Sequence, residues 1–166
     1  MLFKREVKNI TDLSTILEDF DSDYKIKIAV VCFLFDKRGN LILQRRGPGA
    51  RDEVGKLQAI GGSINKEDAD FRASMERELR EEAGKNAVVT IDSFIGAQSD
   101  IKYDKNAAET VNWIVLAYKG TLQEGNLTNA EPDRCIGFEK GPIDSFSKED
   151  LSKTAYNFIQ ELKKTM

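Results

Sequence analysis

In "GGSINKEDADFRASMERELREEAG", Gly61–Gly84, the closing stretch "RELREEAG" puts three glutamates into five consecutive positions. On a helix, Glu78, Glu81 and Glu82 stand at i, i+3 and i+4 and share one patch of surface. Like charges so placed cost about 0.2–0.5 kcal/mol per pair. The ordinary alternative is a solvated face laced with ion pairs, for which Arg77 and Arg80 are local partners. Helical geometry argues against it. At about 100° per residue, measured from Phe71, the residues Met75, Leu79 and Ala83 fall near 40°, 80° and 120°, an apolar stripe. Glu82 falls near about 20° and Glu78 near about 340°, in or beside that stripe, with Glu81 further out near about 280°. A glutamate that only meets water belongs on the opposite side.

A carboxylate turned toward a core or cleft needs compensation, because an unpaired buried charge is very costly. The chain has no histidine. That excludes Ser-His and Cys-His triads, histidine bases and histidine-containing metal sites. A hard divalent cation is the natural partner: Mg²⁺ prefers oxygen, keeps several waters and often binds through a few carboxylates plus substrate phosphates. The glutamates then form half a site, and a diphosphate would form the other half. Gly61 and Gly62, just upstream, permit close backbone approach to a ligand, although a plain turn explains them equally. Arg45, Arg46, Arg51 and Lys56 are placed to meet phosphate oxygens, as well as to serve solubility.

With 166 residues, 40% hydrophobic and 32% charged, the chain suits one ordinary domain, 1–166. A net charge of −3 argues against a nucleic-acid polymer as partner and leaves a small anionic ligand open. No apolar run approaches the roughly 20 residues of a membrane span, so no membrane partner is expected. The N-terminus "MLFKREVKNITDL" lacks the apolar core of a signal peptide, so a cytoplasmic location is expected. Cys32, inside "IAVVCFLF", reads as core, and Cys135 as a second reduced thiol.

The segment "NITDLSTILEDF" carries Ile10, Leu13, Ile16, Leu17 and Phe20 at helical spacing, with Asn9 or Thr11 as N-cap, and forms a helical extension within 1–24. This helix is expected to pack on its own sheet. "IKIAVVCFLF" reads as a buried strand, "DKRGN" as a turn and "LILQRR" as the returning strand. Residues 47–57 form a polar loop. A helix is expected from about Asp68 to Ala83, closed by Gly84. Strands around "AVVTIDSFI" and "TVNWIVLAYKG" follow, with "SDIKYDKNAAE" as a loop. A last helix, 147–166, opens on a Ser147/Asp150 capping pattern. Interleaved strands and helices around one core give an α/β class.

The glycine–glutamate segment resembles the Nudix box of the Nudix (MutT-like) hydrolases. Its second half, Arg-Glu-aliphatic-any-Glu-Glu-any-Gly, is matched without error by Arg77 to Gly84. The first half departs. Starting from Gly62, the acidic position falls on Asp68 and Arg77 arrives one residue late; counting back from Arg77, Ser63 and Ala69 take the glycine and glutamate places. One inserted residue explains both, with Asp68 or Glu67 standing in for the glutamate. "LILQRR", "GKLQAIGG" and "EPDRC" (Glu131–Cys135) are similar to further family segments, so the resemblance spans roughly Ile26 to Phe146.

The resemblance implies a Nudix fold, an α/β/α sandwich around a mixed β-sheet, and hydrolysis of a nucleoside diphosphate linked to another group, such as a nucleoside triphosphate. It implies that Glu78 and Glu82 are the main Mg²⁺ or Mn²⁺ ligands, with Glu81 a third ligand or reached through water. Arg77 would orient a glutamate. It leaves the general base open among Glu81, Glu109 and Glu131, since Ile136 and Gly137 follow Cys135 where relatives often carry an acid. A homodimer is also implied. The alternative is a non-catalytic Nudix-fold domain that binds or senses a nucleotide, favoured by the altered first half of the box. The spacing of Arg46, Arg51 and Gly55 is loosely similar to the coenzyme A subgroup, against Ala59 and Ile60; the proline of the ADP-ribose subgroup is missing. Trp113, Phe33 and Phe35 could stack on a base or belong to the core.

Overall fold

The strand predicted from "IKIAVVCFLF" is β1, Lys25–Phe35, and it organises the molecule. The computed structural model describes residues 3–17, 24–50 and 52–166. Successive side chains of a strand point to opposite faces. Val30, Cys32 and Leu34 therefore enter one core, and Phe33 and Phe35 another. With both faces covered, an apolar residue is favoured at nearly every position.

The sheet is mixed. β1 runs parallel to β6 (Glu109–Glu124) from Lys25↔Val111 to Phe35↔Thr121. The edge strand β5 (Val88–Asp104) is antiparallel to β6. On its other side β1 serves two partners in turn. Ala29–Cys32 pair with β4 (Ile60–Ser63), and Leu34–Phe35 with β2 (Leu41–Arg46). Beyond β2 lie β3 (Leu57–Gln58) and β7 (Cys135–Gly141), both antiparallel to it. The sheet is thus forked between β2 and β4, and that fork positions the site.

Helix α1 (Ile10–Leu17) and helix α2 (Phe71–Ala83) lie on one face. Leu13, Phe71, Met75, Leu79 and Ala83 pack into the core that holds Val30 and Cys32. Helix α3 (Lys153–Lys163) covers the other face, with Ala155, Phe158, Ile159 and Leu162 against Phe33 and Trp113. The Phe33 and Phe158 rings are 5.9 Å apart. This is the expected α/β/α sandwich. Burial of each such large apolar side chain stabilises it by about 1.5–3 kcal/mol.

Several boundaries differ from the sequence expectation. α2 starts at Phe71, not at Asp68, because the Asp70 carboxylate caps it by accepting from the Ala73 N–H at 2.8 Å. The last helix does not start at Ser147. Lys148–Asp150 form a single 3₁₀ turn, and Ser152 caps α3 by accepting from the Ala155 N–H. The segment expected as a loop, "SDIKYDKNAAE", is mostly the end of β5 and the turn into β6. Its polar residues alternate because one sheet face there lines a cavity. β3, β4 and β7 are too short or too polar to announce themselves by periodicity. Asn9 does cap α1, accepting from the Asp12 N–H at 2.9 Å. The side chains of Ile16 and Leu17, and all of Phe20, lie outside the described residues. Cys32 and Cys135 are both buried free thiols.

Candidate active site

The angular argument for α2 holds. Glu78 is 7% exposed and Glu82 9%, whereas the Glu81 side chain is about half exposed. Both buried carboxylates are directed at β4. Glu82 Oε2 accepts from the Gly61 N–H at 3.1 Å and from Gln44 Nε2 of β2 at 2.8 Å. It therefore sits in the fork of the sheet, reached from both of its prongs. Burial pushes the Glu82 carboxyl up to about 8, opposed by the Gln44 hydrogen bond. Glu78 is also raised, again chiefly by burial.

The two glycines are required by contact. A Cβ on Gly61 would lie 2.0 Å from the Val30 carbonyl oxygen, and one on Gly62 would lie 2.6 Å from Glu78 Oε2. Glycine at these places lets β4 pair with β1 and lets the Glu78 carboxylate rest on the backbone.

Arg77 joins the parts. It donates to Asp68 through Nε and Nη2 (3.1 Å from Nη2 to Oδ2), to Glu78 Oε1 at 2.9 Å, to Glu81 Oε2 at 3.1 Å and to the Ser63 carbonyl at 3.0 Å. Asp68 also accepts from Ser74 Oγ at 2.7 Å, and these bonds, Arg77 first, hold its carboxyl down at about 2. Glu67 is exposed. Of the two candidates for the first acidic position, Asp68 is the one that pairs with Arg77.

A cavity of about 560 Å³ opens beside Glu82, bounded by Gln44, Arg46, Gly61, Gly62, Glu131 and Trp113 among others. Two loops wall it. Gly47 and Gly49 donate to the carbonyls of Arg134 and Asp133, both at 2.7 Å, which zips residues 47–49 onto the segment 131–135. Glu131 and Arg134 thereby face the cavity, and Glu131 is close enough to raise the Glu82 pKa.

Not every expected residue is brought here. Arg46 lines the cavity while paired with Asp52 at 2.7 Å. Arg45 instead donates to both oxygens of Asp150, at 2.9 and 3.1 Å, and to Glu139 at 2.6 Å; it ties β2 to β7 and to the turn before α3. Neighbouring residues of a strand face opposite ways. Arg51 lies outside the described residues. Lys56 donates to the Glu149 carbonyl. Of the possible bases, Glu109 is on β6 opposite Asp104, beside Lys25, away from the α2 carboxylates. Phe33 and Phe35 are core, and Trp113, 4% exposed, belongs to the core and the cavity floor alike.

Cavity residues that escaped the sequence reading include Gln44, Arg134, Asp100 and Asp104. A signal existed for the last two, the polar period-two run Gln98, Asp100, Lys102, Asp104. Nothing local marked the other two.

The donor set suits a hard cation. It is all oxygen, and it includes Gln44 Oε1, a buried acceptor without a hydrogen-bond partner among the described residues. Such an atom next to a buried carboxylate is normally satisfied by water or an ion. Among the described residues no three acidic or thiol side chains converge on one point. Mg²⁺ does not require that, since one or two carboxylates, water and substrate phosphates complete its shell.

Sequence and fold comparisons bear on the family and the fold. The NUDIX domain model matches residues 25–162. The chain belongs to the Nudix family. Its fold is similar to the MutT NUDIX hydrolase from Burkholderia pseudomallei, with a TM-score of 0.67 and 16% identity over 83% of this chain and 98% of that one. It is similar also to the MutT protein from Methanosarcina mazei Go1, with a TM-score of 0.61 and 18% identity over 87% and 98%. A UDP-X diphosphatase aligns with a TM-score of 0.56 and 11% identity over 93% and 71%. At these identities the likeness is one of Nudix fold alone. No curated protein sequence matches significantly. Among the described residues of this Nudix chain, no helix is long and apolar enough to cross a membrane.

Proposed function

We propose that this chain is a pyrophosphohydrolase that cleaves a nucleoside diphosphate linked to another group, such as a nucleoside triphosphate, with Mg²⁺ or Mn²⁺. The observation that carries the reading is the burial of Glu78 and Glu82 against Gly61 and Gly62 at the edge of a nucleotide-sized cavity. Two raised carboxylates held there without a cationic side chain on Glu82 make sense when a divalent ion completes them.

In this reading Glu78 and Glu82 hold the metal, with Glu81 reached directly or through water, and Gln44 Oε1 adds an acceptor beside them. When bound, the ions neutralise the diphosphate and lower the pKa of the attacking water. Arg77 keeps Glu78 oriented, itself anchored by Asp68. Arg134 receives phosphate oxygens, while Arg46, tied to Asp52 and Gln58, lines the cavity wall. Glu131 is the base of choice, because among the three considered it shares the cavity with Glu82. Its carboxylate would take the proton of the attacking water.

A binding domain without catalysis is the competing reading, motivated by the altered first half of the box. The Asp68–Arg77 pairing weakens that motive. The test is nucleotide cleavage with Mg²⁺ or Mn²⁺ over a mixed substrate panel, comparing Glu82→Gln with the parent. Loss of turnover in the variant supports the proposal, and equal rates end it. The homodimer implied by the family belongs to the same proposal; light scattering that gives a single 18.7 kDa species would remove it.

A further inference from the structure

The two ends of the cavity balance their charges differently. Val31 lies opposite Gly61, and Lys27 lies four residues earlier on β1. At about 3.3 Å per residue the ends are roughly 13 Å apart. At the far end Lys27, Trp113 and Asp100 form one row across β1, β6 and β5. Lys27 Nζ is 3.1 Å from Asp104 Oδ2 and 5.6 Å from the centre of the Trp113 ring. Lys102 Nζ is 3.0 Å from Asp100 Oδ2 and 2.6 Å from Asp52 Oδ2. Both ammonium groups are thus committed to carboxylates, and Asp100 and Asp104 are only 4% and 3% exposed. At the carboxylate end, Arg134 lines the cavity with no acidic side chain in ion-pair range among the described residues.

We infer that the far end receives an uncharged hydrogen-bonding group, the nucleoside or sugar attached to the diphosphate, and discriminates against substrates that carry a further phosphate there. The inference rests on the pyrophosphohydrolase reading and narrows its substrate class. A phosphate entering this end would have to draw Lys27 from Asp104 or Lys102 from Asp100. Either step takes the near ammonium group from a buried carboxylate, leaving Asp104 two backbone N–H groups and Asp100 the Thr154 hydroxyl at 3.5 Å and Lys153 Nζ at 3.8 Å. Removing one partner of such a pair is costly. It would also stand beside like charges. A neutral hydroxyl, amide or amine meets no such penalty: it hydrogen-bonds to the carboxylate oxygens while the ion pairs stay closed, with the indole as an apolar floor.

The test uses substrate pairs that differ by one distal phosphate: dephospho-coenzyme A against coenzyme A, and NADH against NADPH, each with Mg²⁺ and with Mn²⁺. The unphosphorylated member is expected to have a kcat/KM at least about tenfold higher, the size that like-charge placement commands. Asp104→Asn keeps the oxygen that accepts from the Asn106 and Ala107 N–H groups and releases Lys27. It should shrink the preference about tenfold, mainly through KM. Equal or faster cleavage of the phosphorylated members, or an unchanged ratio in Asp104→Asn, overturns the inference. Cleavage of no pair would count against the pyrophosphohydrolase reading instead. Calorimetry with AMP against adenosine 3′,5′-bisphosphate then decides the inference alone: tighter AMP binding upholds it, and any other result, including no binding, overturns it.

Discussion

Asp68 and Arg77 are nine positions apart and meet through two guanidinium nitrogens, Nη2 lying 3.1 Å from Oδ2. The same guanidinium reaches Glu78 and Glu81, so a residue outside α2 sets the orientation of carboxylates on it. Asp68 is held at about 2 in the folded protein, against about 3.9 for a free aspartate. A depressed carboxyl pKa contributes stability that is fully present above the unfolded value and is lost as pH falls through the folded one. The parent should therefore lose stability between about pH 4 and pH 2 more steeply than Asp68→Asn. Denaturant titrations across that range test it, and parallel curves would refute the pairing.

Gly61→Ala and Gly62→Ala should fail in different ways. The first drives a methyl group onto the Val30 carbonyl, rigid backbone, and should cost about 1–3 kcal/mol or more. The second meets only the end of the Glu78 side chain, which can swing aside. Its melting temperature should stay near the parent's while turnover drops at least about tenfold, a loss typical of small displacements in a site. Thermal melts and turnover on the same samples separate the two.

Gln44→Leu keeps roughly the side-chain volume and removes both the donor to Glu82 and the unpartnered acceptor. If Gln44 orients Glu82 toward a cation, Mn²⁺ affinity should fall about 10–100-fold, the usual cost of losing an outer-shell partner. Calorimetric or paramagnetic-resonance titration reads this directly. Unchanged affinity would confine Gln44 to packing.

The Glu82 proton must leave before a cation binds. Since burial holds that group up to about 8, Mn²⁺ binding should tighten by up to about tenfold per pH unit below 8 and level off above it. The same raised pKa means that metal-free stability from this group is full below about pH 4.5 and is lost as pH rises through 8. Mn²⁺ should restore it. Glu82→Gln should show neither dependence, and a flat binding profile in the parent would contradict the assignment.

Much of this molecule was legible in one dimension. The period of α2 placed Glu78 and Glu82 on the buried side, and the apolar run of β1 announced a strand covered on both faces. Such features are local: a helix or strand repeats within a few residues, and its pattern records which face meets the core. The intact second half of the box added the family, and Asp68 was one of two candidates for the first acid.

What only the tertiary structure decided depends on residues distant in the chain. The fork between β2 and β4 admits Glu82, brings Gln44 across 38 positions to hold it, and turns Arg45 out toward Asp150. The zipped loops put Glu131 and Arg134 on the cavity wall. Lys27 finds Asp104 across 77 positions. Pairing of this kind is set by strand register and by which loops close on each other, and neither leaves a periodic trace in the order of the amino acids.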